Sequence, residues 1–224
     1  MSEIYFDNAA TSPVRSEVVN KMSRFYSDIC GNPSSLHQAG QRAKRAVEES
    51  RYTVASALGA EAMEIFFTSG GTESNNLAIR GVAQSLKERG RHIITSSIEH
   101  HAVLNVCHAL EKEGFEITYL PVNQYGILDL NTLRDSIRPD TILVSIMLAN
   151  NEVGTIQPLS KVSAMTRDMG IPLHTDACQA VGKIPVNVDD LGVDMLSLAA
   201  HKFYGPKGVG VLYVRKGILM QPLQ

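Results

Sequence analysis

The sequence is poor in cysteine, nearly neutral in charge and without a long apolar run, and each shortage excludes a class of protein. Its three cysteines, Cys30, Cys107 and Cys178, are odd in number and widely spaced, with no C-x-x-C pair. That pattern argues against a disulfide framework and a zinc site, and it fits a reducing cytoplasm. A net charge of −2 and a pI of about 6.4 leave no basic excess to attract nucleic acid or an anionic membrane. The most apolar run, Thr141 to Ala149, falls far short of the ~20 residues that cross a bilayer and reads as a buried strand. The opening Met1-Ser2-Glu3-Ile4-Tyr5-Phe6-Asp7 has neither the basic start nor the apolar stretch of a secretion signal. Internal repeats, low-complexity segments, a Gly-x-x-x-x-Gly-Lys-Ser/Thr loop and a Gly-x-Gly-x-x-Gly pattern are also lacking.

What remains is an ordinary globular composition, 44% hydrophobic and 20% charged, over 224 residues. The length allows one large domain or two small ones, and suffices for a substantial core. Short β-rich runs alternate with helical patterns. Strands are expected at residues 64–68, 92–95, 115–120, 141–148, 171–175, 195–198 and 209–214. Helices are expected near residues 17–27, 38–58, 73–88, 101–113 and 159–169, the last two stopped by Gly114 and Gly170. Strands separated by helices of this length mean a mostly parallel sheet covered by helices on both faces. The last two strands have no helix between them, so an antiparallel edge is expected. An N-terminal segment (residues 1–15) would precede one α/β domain (residues 16–224).

Open parallel sheets bind ligands beyond the carboxyl ends of their strands, and the unusual residues of this chain follow its strands. Thr68-Ser69-Gly70-Gly71-Thr72-Glu73 joins a strand to a helix whose free N–H groups suit a phosphate. A plain turn with Thr72 as N-cap explains the same residues. Asp176, in His174-Thr175-Asp176-Ala177-Cys178-Gln179, is a lone acid at a strand end. It could pair with a protonated pyridine-type nitrogen, or merely cap its own turn. Lys202, in His201-Lys202-Phe203-Tyr204-Gly205-Pro206-Lys207-Gly208, lies between an apolar strand and a Gly/Pro-rich turn. An amine in a desolvated or cationic site loses its proton more readily and can form a Schiff base. Lys207 reads as solvated surface. His100 and His101 are adjacent and point apart, so at most one faces the crevice, where it could stack on a planar ring or move protons. A metal set of His100, His174, Asp176 and His201 lacks helical ligand spacing and is disfavoured; no metal is expected. Asn150 and Asn151 are either loop chemistry or an amide donor over a ligand. Together these groups supply what pyridoxal phosphate requires of a protein.

The same residues carry a family resemblance. Gly-x-Thr-Glu-x-Asn-Asn (70–76), Glu-His-x-Ala (99–102), Asn-Asn-Glu-x-Gly (150–154), Asp-Ala-x-Gln (176–179) and His-Lys-x-x-Gly-Pro-Lys-Gly (201–208) resemble class V aminotransferase-fold proteins. Tyr5-Phe6-Asp7-Asn8-Ala9-Ala10-Thr11 and Gly31-Asn32-Pro33-Ser34-Ser35-Leu36-His37 are similar to the NifS/IscS branch of the cysteine desulfurases. The resemblance implies the large domain of a fold type I pyridoxal-phosphate enzyme, aspartate aminotransferase-like, with the C-terminal small domain absent. Lys202 would hold the cofactor as a Schiff base. Gly71, Thr72 and His201 would bind its phosphate, and His100 would stack on its ring and move protons. Asp176 would pair with the ring nitrogen, Gln179 would contact the phenolic oxygen, and Asn151 would lie against cofactor and substrate. The implied reaction takes L-cysteine to alanine and an enzyme-bound persulfide, in a cytoplasmic homodimer that contributes to iron–sulfur cluster biogenesis. A separate chain carrying the C-terminal domain, a sulfur acceptor or a scaffold protein would be its partner, with no nucleic acid and no membrane.

Two departures qualify the resemblance. Ala199 stands where the family usually has a phosphate-binding serine, which should weaken cofactor binding by one hydrogen bond, about 1 kcal/mol or somewhat more. The family's persulfide-forming cysteine, its substrate-binding arginine and a phosphate contact made across the dimer would lie beyond Gln224. Cys178 sits beside Asp176 and reads as a buried free thiol rather than a substitute nucleophile. The alternatives are a cofactor-binding or assembly module without sulfur transfer, and another class V enzyme such as a selenocysteine lyase or aminotransferase.

Overall fold

The computed structural model describes residues 4–222, and its core is a seven-stranded sheet with helices on both faces. In chain order the strands are β1 (Ile65–Thr68), β2 (His92–Ser96), β3 (Glu116–Leu120), β4 (Thr141–Ser145), β5 (Leu173–Asp176), β6 (Met195–Ala199) and β7 (Gly210–Val214). The helices are α1 (Ser16–Ser23), α2 (Gln38–Leu58), α3 (Gly71–Leu86), α4 (His101–Lys112), α5 (Leu130–Ser136), α6 (Leu159–Asp168) and α7 (Val188–Leu191). Across the sheet the order is β1-β7-β6-β5-β4-β2-β3.

Every expected strand forms, and β2 through β6 pair in parallel. The antiparallel edge needs correction. β7 does run against β6, but β1 pairs antiparallel with its far side and takes the edge. A helix-free connection fixes the relative direction of two neighbours, not whether another strand caps them. The ladder of β4 ends at Ser145, although Ile146 and Leu148 still donate to His174 and Asp176 carbonyls at 3.0 and 2.9 Å. α5 and α7 were not expected, yet each has a conventional cap: Asp129 and Asn187 accept the first free N–H groups.

The strands alternate between two apolar layers, as a buried sheet must. Ile93, Leu143, Met195 and Leu212 pack with Ile79, Val82, Val103 and Leu110 of α3 and α4. Ile94, Val144, Leu196, Leu198, Val211 and Tyr213 join Leu58, Leu133 and Val162 on the opposite face. This double coverage leaves the strand ends as the open edge of the domain. The N-terminal stretch crosses part of that edge. Ser12 donates its N–H and its hydroxyl to the His201 carbonyl at 2.8 and 2.9 Å, and it accepts from the Tyr204 N–H at 2.6 Å. The early chain also leaves apolar side chains in solvent: Phe6 is 87% exposed, Tyr26 79% and Leu36 92%.

Candidate functional site

α3 begins at Gly71, two residues earlier than the sequence suggested, with Gly70 rather than Thr72 as its N-cap. Gly71 and Thr72 therefore form the first turn and present free N–H groups. A side chain on Gly71 has no room, because its Cβ would lie 2.5 Å from the Cys178 sulfur. A cavity of about 260 Å³ lies beside the close contact between the start of α3 and the turn after β5.

All the sequence-selected site residues line this one cavity. They are Gly71, Thr72, His100, Asn151, Asp176, Gln179, His201 and Lys202. His101 instead faces an adjoining, more open cavity of about 930 Å³, which shares His100 and Asn151 with the first. Lys207 faces a third hollow of about 380 Å³ next to Gly71, Thr72 and His201. His174 takes no part. It is fully buried, with its two ring nitrogens 2.8 and 3.0 Å from the Ser145 and Ser197 hydroxyls.

Asp176 is 6% exposed and carries two bonds from neutral donors. Its Oδ1 accepts from the Cys178 N–H at 2.9 Å, so the turn-capping reading holds for that oxygen. Its Oδ2 accepts from the Asn75 amide at 2.6 Å. Among the described residues Asp176 has no ion-pair partner, although a buried carboxylate calls for one. Lys202 donates to the carbonyl oxygens of Ala9 and Ala10 at 2.7 and 2.9 Å, and Gln179 donates to that of Ala9 at 2.8 Å. His100 caps α4: its Nδ1 accepts from the Ala102 N–H at 3.1 Å, which leaves the proton of the neutral ring on Nε2. His201 Nδ1 lies 3.1 Å from the Thr11 hydroxyl. Burial, with the Lys202 charge next, holds its imidazole below the usual range, so it is neutral near pH 7. Asn150 performs the loop chemistry, accepting from the Glu152 and Val153 N–H groups, while Asn151 faces the cavity. Ala199 contributes only a methyl group to the wall.

Two contributors were not singled out from sequence. Asn75 is buried in the second turn of α3. Glu99 lies behind His100, 5% exposed, where its Oε1 accepts from the Ser96 hydroxyl at 2.7 Å and the Met147 N–H at 2.8 Å. Glu99 was visible only as one letter of the Glu-His-x-Ala motif, and Asn75 only within Gly-x-Thr-Glu-x-Asn-Asn.

Burial pushes the Glu99 carboxyl up to about 8, against the opposing effect of its two donors. From its reference value of 4.5 up to about 8, the folded chain holds this proton and the unfolded chain does not. The stabilisation is complete below pH 4.5 and is lost as the pH rises through 8. Glu99→Gln should therefore gain on the parent by on the order of 4 kcal/mol between about pH 5 and pH 9. Urea melts of both proteins across that range provide the check, and a constant difference would contradict it.

The comparisons bear on the family and the fold. The aminotransferase class-V family model matches residues 4–224. A cysteine desulfurase IscS from Dictyoglomus turgidum is 58% identical over 221 residues, which cover 99% of this chain and 56% of that protein. Its counterpart from Methanosarcina thermophila is 54% identical over 220 residues, 98% of this chain and 54% of the other. A solved NifS-like protein superposes with a TM-score of 0.97 at 45% identity, covering all of this chain and 62% of the other. A structure described as SspA in complex with cysteine gives 0.96 at 45% identity, covering 99% and 65%. The chain spans about half the length of the curated relatives it matches.

Proposed function

The chain belongs to the aminotransferase class-V family, and from that premise we propose that it forms the pyridoxal-phosphate-binding part of a cysteine desulfurase. The observation that carries the proposal is Asp176: a buried carboxylate, with no ion-pair partner among the described residues, on the wall of a cavity that also holds an amine and a helix N-terminus. A protonated ring nitrogen supplies the missing charge, so the residues fit the cofactor. The cavity, about 260 Å³, lies just under the ~300–1,000 Å³ of most small-molecule sites, and the adjoining hollow leaves room for a substrate.

In this reading Lys202 holds the cofactor's carbonyl carbon and Asp176 its ring nitrogen. Gln179 meets the phenolic oxygen. The first turn of α3 holds the phosphate through Gly71 and Thr72, helped by His201. Ala199 leaves that end short of one hydroxyl donor. His100, with its proton on Nε2, stacks on the ring and offers that N–H as a hydrogen-bond donor there. Asn151 orients the substrate, L-cysteine. When bound, the cofactor supplies an electron sink for bond breaking on the substrate. The exposed apolar side chains of the first forty residues favour a partner surface, a second copy of the chain among the candidates. Among the described residues no helix is long and apolar enough to cross a membrane.

Asp176→Ala tests the reading. A hydrogen bond to a charged group contributes about 1.5–3 kcal/mol, so cofactor affinity should fall roughly 10- to 150-fold, with a blue shift of the bound absorption band. Unchanged affinity and spectrum would remove the ring-nitrogen contact and the observation on which the proposal stands.

A further inference from the structure

Asp176 reaches the cavity with one oxygen tied to its own turn and the other to a residue 101 positions away. The bond from the Cys178 N–H is local and belongs to the chain turning after β5. The bond from Asn75 is tertiary and joins β5 to α3 at 2.6 Å. Asn75 is 1% exposed, and its own Oδ1 has no partner. Asparagine is a mediocre residue inside a helix, and a buried carbonyl oxygen without a donor is unfavourable. Neither feature serves α3 itself.

We infer that Asn75 is a positioning residue whose amide fixes the rotation of the Asp176 carboxylate and so sets how strongly the cavity favours a ligand with a protonated ring nitrogen. The inference rests on the reading of the cavity as a pyridoxal-phosphate site. The last torsion of an aspartate is broad, so a carboxylate held only by its own turn samples a range of orientations. A second, charge-assisted bond narrows that range. The donor also matters for what it is not. A lysine or arginine at this position would orient the carboxylate and neutralise it, whereas an amide orients it and leaves its charge to attract the ligand.

The test compares pyridoxal phosphate with its carbocyclic analogue, in which C–H replaces the ring nitrogen. Dissociation constants for both are measured with the parent chain, Asn75→Ala, the similarly sized Asn75→Leu and the near-isosteric Asn75→Asp. The variants that melt with the parent are the ones compared. Thr72→Ala, which acts at the phosphate end, serves as the control and should weaken both ligands alike. The parent should favour pyridoxal phosphate by ~10-fold or more, while Asn75→Ala or Asn75→Leu should reduce that preference to about 3-fold and hold the analogue's affinity within about 2-fold. An undiminished preference, or equal losses for both ligands, would reduce Asn75 to a structural residue and overturn the inference. A parent that binds both ligands equally would overturn the Asp176 contact, and the inference with it. A parent that binds neither would overturn the cofactor reading itself.

Discussion

Lys202→Ala is expected to abolish covalent capture of pyridoxal phosphate. The parent chain should turn yellow on adding the cofactor, and borohydride should then fix the label stoichiometrically on the peptide containing Lys202. In the variant, labelling should fall to background. The rival is chosen by chemistry rather than sequence. Burial, together with the nearby Lys202 charge, lowers the Lys183 amine below the usual lysine range, which favours its reaction near neutrality. Its Nζ, however, donates to Gln179 Oε1 at 2.7 Å, and it does not line the cavity. Lys207 lines the neighbouring hollow. Lys202 alone of the three is in the cavity with Asp176, so position should decide which amine is labelled. A label on Lys183 or Lys207 in the parent, or full labelling of Lys202→Ala, would refute the assignment.

The parts of this site that could be read from sequence share a cause. Each of Gly71, His100, Asn151, Asp176 and Lys202 comes just after an apolar run, and a parallel sheet gathers such positions along one edge. The runs themselves were legible because glycine and proline bound them, as at Gly114, Gly170 and Pro172. What escaped notice depended on tertiary approach. Asn75 acquires its role only because α3 packs across the end of β5, and nothing within four residues of it names Asp176 as its partner. Glu99 is unusual because of burial, which composition does not report. The location of β7 inside the sheet depends on β1, more than a hundred residues earlier, returning to its free side. The turn-capping reading of Asp176 accounts for one of its oxygens, and the capping of α4 by His100 Nδ1 was not foreseen.

Sulfur transfer makes the sharpest demand on this chain. Loaded with cofactor and given L-cysteine and a thiol reductant, the chain should release sulfide no faster than free pyridoxal phosphate does. Taking up sulfur requires a thiolate at the substrate, since the thiol itself is a poor nucleophile. Cys178 is the cysteine on the cavity wall, and burial, reinforced by the Asp176 charge, drives its thiol well above the ordinary range, so it stays protonated. Its sulfur also lies under the first turn of α3, packed against Gly71. Cys107 is buried too, its thiol pushed up to about 12. Cys30 is exposed, but it lies ahead of α2 and does not line the cavity. Removing the nucleophile of a catalytic unit can cost on the order of 10⁶-fold in rate, so the deficit should be unmistakable. Cys178→Ser should leave the sulfide and alanine yields unchanged. Turnover well above free cofactor that disappears in Cys178→Ser would make Cys178 the nucleophile and refute this account. Turnover that arises only when a second polypeptide supplies the rest of the family's length would place the accepting thiol on that partner, with these 224 residues as the half that binds the cofactor.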